Sequence, residues 1–290
     1  MIPPVDVLVV LHNCRKLLPG LVDSLRGISI PIRLHLLDNN STDGTAGAAG
    51  SMLVDLPFPS FLTRSLHNNG FARGMNLLAK TVTGEFMFIL NPDTEVEPGA
   101  LEALVRRMQS DPKIGIVEAR QSPKEHPKAY DPVTGETTWC SGAAALIRRT
   151  AFEAVEGFDE RLFFMYCEDV DFSWKLWLRG WKCIYVPEAV VRHFTQELLP
   201  GKRRTLENYF SFRNSMFLLY RFGAGNRWSL MRKFLRKRFF SSDYSLKSRV
   251  LFGIAFVDHI RYIPYLLHTR DTWSSERHRW IRFEETSLSH

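Results

Sequence analysis

The chain has 290 residues, 45% of them hydrophobic and 24% charged, an ordinary globular balance that argues against a disordered chain and allows a large α/β core. Its net charge of +7 is unevenly spread: residues 1–200 hold 20 Lys and Arg against 24 Asp and Glu, a balance of −4, while residues 201–290 hold 18 against 7, a balance of +11. The basic C-terminal third is therefore the part suited to an anionic partner.

Val5–Leu11 is a nearly continuous apolar, β-branched run that stops at His12-Asn13, which predicts a buried parallel strand feeding a loop at its carboxyl end. Residues 17–25 have helical spacing. A second strand over residues 33–37 ends in Asp38-Asn39-Asn40-Ser41-Thr42-Asp43-Gly44-Thr45, a polar turn able to cap the next helix. A third strand over residues 61–66 leads into Asn68-Asn69-Gly70-Phe71-Ala72-Arg73-Gly74, whose glycines permit close backbone approach to a ligand, and a helix through Lys80. Residues 85–90 form a fourth apolar strand that runs into Asn91-Pro92-Asp93. Ligands of open α/β sheets sit beyond the carboxyl ends of the strands, so polar residues delivered there predict a nucleotide-sized cleft.

A helix is expected over residues 98–109, a strand over 114–119, a loop above the acceptor side of the cleft over 121–137, a small-residue strand over 140–147 and a short helix over 152–155. Gly157-Phe158-Asp159-Glu160 then turns toward Met165-Tyr166-Cys167-Glu168-Asp169-Val170-Asp171-Phe172, three carboxylates within four positions. Like charges held together and partly buried push a carboxyl pKa upward and give a general base; the same acids also suit the exposed first turn of a helix. A strand over 183–186 follows, and residues 190–194 carry His193 out of an apolar run. Beyond Pro200, helices are expected over 205–220 and 226–240. In the second, Trp228, Met231, Leu235 and Phe239 share a face among many cations, the pattern of an interfacial membrane helix.

Asp93 could reach a cation bridging a diphosphate, or be a plain Asn-Pro-Asp turn; Asp38 could accept the imide N–H of a pyrimidine, or cap a helix. No G-x-G-x-x-G follows the first strand and no Walker A loop is present, which speaks against a dinucleotide or P-loop fold. Cys14, Cys140, Cys167 and Cys183 form no CxxC pair and fit a reducing cytosol. The N-terminus lacks the features of a signal peptide, and no uninterrupted apolar run reaches the roughly 18 residues of a bilayer span.

Taken together, the ordered motifs over about residues 5–220 resemble glycosyltransferase family 2, the inverting sugar-nucleotide transferases of GT-A fold, and within it the rhamnosyltransferase-like branch. The resemblance implies an α/β fold with a Rossmann-like mixed sheet flanked by helices: a catalytic domain over 1–200, its nucleotide-sugar half at 1–95 and acceptor half at 96–200, then a basic helical extension over 201–290. It implies that Asp38 and Arg73 hold the nucleobase end of the donor, with Leu11, Asn13, Asn69, Gly70, Asn91 and Asp93 lining the donor site. Asp93 and His193 would ligate Mn2+ or Mg2+; Asn91 stands where the family's metal motif has its first Asp, removing one ligand. Asp169 matches the catalytic base, with Glu168 beside it shaping the acceptor site. The implied donor carries dTDP or UDP, dTDP-L-rhamnose favoured, and the acceptor is a saccharide or polyprenyl-linked saccharide of the cell envelope. The extension would rest on the anionic inner face of the cell membrane from the cytoplasm, or serve as a cap or a contact between copies. Two alternatives stay open: a nucleic-acid-binding protein using the basic region, and an inactive nucleotide-sugar-binding relative.

Overall fold

The computed structural model describes residues 3–125, 129–194, 202–223, 226–273 and 278–283. Part of the expected loop, residues 126–128, and the expected boundary at residues 200 and 201 lie outside the described residues. The strands are β1 Val5–Leu11, β2 Ile32–Asp38, β3 Ser60–Arg64, β4 Phe86–Leu90, β5 Thr94–Val96, β6 Ile114–Ser122, β7 Ala144–Arg148 and β8 Lys182–His193. The helices are α1 Leu18–Arg26, α2 Thr45–Met52, α3 Gly70–Ala79, α4 Ala100–Gln109, α5 Arg149–Ala154, α6 Glu168–Leu178, α7 Lys202–Phe222, α8 Arg227–Phe240, α9 Leu246–Ile260 and α10 Ile263–Trp273.

All eight strands join one mixed sheet in the order β3-β2-β1-β4-β7-β6-β8-β5. β1 is buried along its whole length because both faces are covered, which is why its sequence is apolar at successive positions rather than alternate ones. Its side chains still divide by strand periodicity. Val5, Val7, Val9 and Leu11 pack with Leu21 of α1 and Leu101 and Leu104 of α4, while Leu8 and Val10 join Met75 of α3 and Phe172 of α6 on the other face. Each such buried aliphatic side chain contributes about 1.5–3 kcal/mol relative to exposure. The buried exception, Asp6, accepts hydrogen bonds from Arg33 Nε at 2.7 Å and Gly84 N at 2.9 Å, with His35 Nε2 at 2.9 Å, so its charge is matched where the strand needs a polar side chain tied down.

Strands β1–β4 run parallel, and β7 enters antiparallel against β4 with Leu90 opposite Ala144. β6 and β8 are parallel but slip in register between Ala119 and Arg120, a bulge that re-aims the end of β8 toward β5. Residues 140–143, expected in a strand, precede β7 instead: Gly142 is approached closely by the Phe71 ring and by Asp169, contacts that a regular ladder would exclude.

On the second face, α7 inserts Phe212, Met216, Phe217 and Leu219 into the core that also holds Phe163, Phe172 and Trp174. The helix expected over 226–240 is present as α8, but its apolar face is spent on protein: Met231 and Phe234 are buried, Leu235 and Phe239 pack against the core, and Trp228 is left 69% exposed. α9 and α10, which periodicity had not marked, follow it.

Candidate functional site

The sheet gathers the expected donor-site residues at one edge through strand register. Leu11 ends β1 opposite Asp38 at the end of β2, and Leu90 of β4 lies opposite Val9, so His12-Asn13, Asn39 and Asn91 all leave the sheet together. Asp38 and Leu90 are thus two strand spacings apart across the sheet and two residues apart along it, about 12 Å in all. Asp38 is 4% exposed; its Oδ2 accepts a long 3.4 Å bond from Ser41 N and its buried Oδ1 has no hydrogen-bond partner. A buried carboxylate oxygen left without a donor is costly unless a ligand N–H supplies one.

Asn13 stands in the left-handed region at φ 50°, a conformation Asn tolerates, and this lets its Oδ1 accept from Thr42 N at 2.8 Å while its own N–H donates to Ser41 Oγ at 3.0 Å. Asn39 does the most to join the loops. Its backbone N–H donates to Leu11 O at 2.8 Å, its Nδ2 to Asn68 Oδ1 at 3.0 Å and Gly70 O at 3.1 Å, and its Oδ1 accepts from Asn69 N at 2.9 Å. The sequence flagged Asp38 and Asn69 but not the Asn39 between them; its position directly after a strand-end Asp was the available signal. Arg73 sits on α3, 56% exposed, with its Nε 3.9 Å from Glu160, a surface pairing of little stabilising value.

The acidic stretch is built by strain and held from two sides. Tyr166 and Cys167 both have φ 66°, unusual for residues with a Cβ, and this left-handed pair starts α6 abruptly at Glu168. Asn214 of α7 fixes it by donating from Nδ2 to Met165 O at 2.9 Å and Tyr166 O at 2.7 Å. Asp169 then accepts from Gly142 N at 3.1 Å on Oδ2 and from Val170 N at 2.8 Å on Oδ1. The next residue, Ala143, accepts from Asn91 N at 2.9 Å, so two hydrogen-bonded steps across the start of β7 tie Asp169 to the strand end that bears Asp93. Glu168 is 6% exposed with a buried, unpartnered Oε2, and burial, reinforced by Asp169 and Asp171, pushes its carboxyl well above the usual range.

Asp93 and His193 do converge. β5 pairs with β8 so that Thr94 faces His193, and His193 Nε2 lies 3.3 Å from Asp93 Oδ1. The ring's Nδ1 meets Gln121 Oε1 at 2.7 Å, a contact that fixes the plane of the imidazole and aims Nε2 at the carboxylate. One imidazole and one carboxylate fit a divalent cation as a partial ligand set; among the described residues no group of three or more His, Cys, Asp or Glu completes it. A separate cleft of about 290 Å³, lined by His35, Phe61, Thr63 and Leu78 among others, contains none of these residues.

Gly70 links the two halves of the site. It sits at φ 73°, and a Cβ there would come 2.2 Å from Phe164 O, the same carbonyl that accepts from Phe71 N at 2.7 Å. Gly70→Ala is expected to cost roughly 1–3 kcal/mol, about 2–4 °C of melting temperature per kcal/mol. Gly47→Ala, in a helix with nothing within 4 Å of the added carbon, should be neutral or slightly stabilising. Thermal melts of the two variants that moved together would refute the role given to Gly70.

Comparison with known proteins gives a family. The model described as "Glycosyl transferase family 2" matches residues 6–166, and "Glycosyl transferase family group 2" matches residues 128–269. The N-acetylglucosaminyl-diphospho-decaprenol L-rhamnosyltransferase of Mycobacterium tuberculosis is 30% identical over 207 residues, covering 56% of this chain and 66% of that protein. The O-antigen chain rhamnosyltransferase RfbN of Salmonella typhimurium is 26% identical over 212 residues, covering 65% and 66%. The chain thus spans just under two thirds of these relatives. Among solved structures, the mannosyltransferase PcManGT from Pyrobaculum calidifontis, in complex with GDP-Man and Mn2+, superposes with a TM-score of 0.61 at 18% identity over 94% of this chain and 74% of that one. S. aureus TarS 1–349 in complex with UDP-GlcNAc gives 0.59 at 16% identity, over 92% and 83%. These likenesses show a shared fold, of GT-A type.

Proposed function

The chain belongs to glycosyl transferase family 2, and we propose that it acts as a glycosyltransferase, moving a sugar from a nucleoside diphosphate donor to a hydroxyl of a saccharide or lipid-linked saccharide and inverting the anomeric carbon. The product would enter cell-surface polysaccharide synthesis. The favoured donor is dTDP-L-rhamnose, a reading supported by the two relatives named as rhamnosyltransferases; UDP-hexoses are the alternatives. The observation that carries the proposal is the tether from Asp169 through Gly142 and Ala143 to Asn91, which brings a carboxylate to the strand end that bears Asp93.

In the reaction the acceptor O–H bond breaks as its oxygen bonds to the anomeric carbon, the proton passes to Asp169, and the anomeric C–O bond breaks with its electron pair leaving on the diphosphate. General-base assistance of this kind contributes about 10²- to 10⁴-fold. No enzyme nucleophile is needed for a single displacement. Asp38 would accept an imide N–H of the base through its unpartnered Oδ1, and the Asn13 and Asn39 loops would hold the nucleoside pocket in shape. Asp93 and His193 would hold Mn2+ or Mg2+, and such a cation when bound stabilises charge on a departing diphosphate as a Lewis acid. Glu168 would shape the acceptor side.

A thermal-shift panel of nucleotide sugars, with and without manganese, tests the reading. A donor at one hundred times its dissociation constant should stabilise the protein by about 2.7 kcal/mol. dTDP-L-rhamnose should give the largest shift, manganese should add to it, Asp38→Ala should abolish it and His193→Ala should remove only the manganese increment. A panel in which no nucleotide sugar moves the melting temperature would overturn the assignment.

A further inference from the structure

We propose that the outward face of α9, continued by the start of α10, lies in the interface of an anionic lipid bilayer. On a helix turning 100° per residue, Leu246, Val250, Ile254, Val257 and Ile260 fall within a sector of about 120°. They are 76%, 58%, 57%, 67% and 48% exposed, and Leu267 of α10 adds 44%. The opposite face of α9 is also apolar but covered: Phe252 and Ala255 are buried in the core shared with α7. α9 therefore has two apolar faces, one of which no described residue covers, a contiguous exposure that marks an interaction surface.

Charge selects the occupant. The exposed stripe carries no acidic side chain; Asp258 beside it is engaged by Tyr209 at 2.7 Å and Arg213 at 2.9 Å on Oδ2 and by Arg261 Nε at 2.9 Å on Oδ1, so its charge is matched. Lys247 and Arg261 flank the stripe and are exposed. The adjoining α8 turns Arg232, Lys233, Arg236 and Lys237 to solvent and ends in Phe240, 81% exposed, one short turn before Leu246. Arg249 Nη2 closes that turn by donating to Ser241 O at 2.9 Å. An apolar stripe bordered by cations complements anionic headgroups, whereas a second copy of the chain would bring like charges together.

Length says how the surface would sit. α9 has 15 residues, about 22 Å, short of the roughly 20 residues a hydrocarbon core requires. No single described helix is long and apolar enough to cross; α9 and residues 263–269 pass together only with a 58° bend between them. Such a pair suits lying along the interface. The placement serves the proposed transfer, and for that purpose alone rests on it: α7 is held to α9 through Arg213 and Asp258 and to the acidic turn through Asn214, so a docked α9 would set Asp169 at a fixed height above a lipid-borne acceptor.

The test is co-flotation of the full chain with vesicles of phosphatidylcholine alone or with 30% phosphatidylglycerol (about a third anionic, enough for a strong surface potential), without donor or acceptor. Binding should be at least tenfold tighter to the anionic vesicles. Val250→Asp with Val257→Asp should lower it at least tenfold, while the melting temperature and the donor-induced thermal shift remain those of the parent. Failure of the parent to float, or equal flotation of the variant, overturns the proposal. So does a parent dimer by light scattering that the double variant converts to monomer, which would assign the face to a second copy. Because flotation needs no sugar nucleotide, its failure is separable from failure of the transfer reading.

Discussion

Asp169→Asn is expected to lower sugar transfer by about 10²- to 10⁴-fold while leaving the thermal shift produced by the donor nearly unchanged. The amide is isosteric and can still accept on one oxygen, so the Gly142 N–H contact at 3.1 Å survives and the start of β7 stays in place. What disappears is the capacity to take a proton from the acceptor. A structural role alone would predict the opposite: stability and donor binding falling with the rate.

Glu168→Gln gives the contrast that makes the result diagnostic. Glu168 is buried, its Oε2 lacks a partner, and burial followed by the charges of Asp169 and Asp171 raises its pKa. Two adjacent carboxylates in one turn do not ionise independently, and it is Glu168 that burial pushes toward the protonated form. Gln mimics that protonated form and should retain most of the rate. The sign of the stability effect follows. A carboxyl whose folded pKa is raised contributes stability below the ordinary carboxylate range that is lost as pH rises through the raised value. Glu168→Gln should therefore flatten the loss of stability that sets in as pH rises above the ordinary carboxylate range, and equal loss of activity in the two variants would undo the division of roles.

These residues differ in how far the sequence alone revealed them, and the difference is physical. β1, β2 and β4 were legible because strands buried on both faces read as unbroken apolar runs, and Asp38 and Asp93 stood out as acids where the apolar runs of β2 and β4 give way. The pairing of Thr94 with His193 was not, since it depends on a bulge between residues 119 and 120 and on an edge strand of three residues. Nor was the turn at Tyr166 and Cys167, where φ is positive without a Gly or Asn to announce it. Periodicity showed that Met231, Leu235 and Phe239 share a face of α8. It could not show that the face turns inward, because covering depends on α7 and α9, which the local pattern does not contain.

The same dependence on distant partners governs the acid that the site reading left unused. Asp171 is fully buried two residues beyond Asp169, and its charge is met by Arg221 of α7, whose Nη1 donates to Asp171 Oδ1 at 2.5 Å and whose Nη2 donates to Asp159 Oδ2 at 2.6 Å. Lys175 completes the cluster, 3.5 Å from Asp171 Oδ2 and donating to Gly157 O at 2.8 Å. Burial alone would depress the Arg221 pKa, and Asp171 and then Asp159 more than reverse it, so the guanidinium stays charged at 2% exposure. Arg221→Met would leave two carboxylates facing one ammonium away from water. Breaking one partner of a buried ion pair costs about 3–5 kcal/mol, and a loss of that size should appear as a fall of roughly 6–20 °C in melting temperature. Arg221→Lys should rescue little, because an ammonium cannot span both carboxylates as the planar fork does. Arg221→Met combined with Asp171→Leu removes both halves of the closest pair and should regain much of the stability lost in either single variant, a coupling of kcal/mol size in a double-mutant cycle. Strict additivity would mean that the fork does not hold α6 to α7. If it does hold them, the position of Asp169 is set from behind by a residue 52 positions away, and the rate should recover with the stability in the double variant.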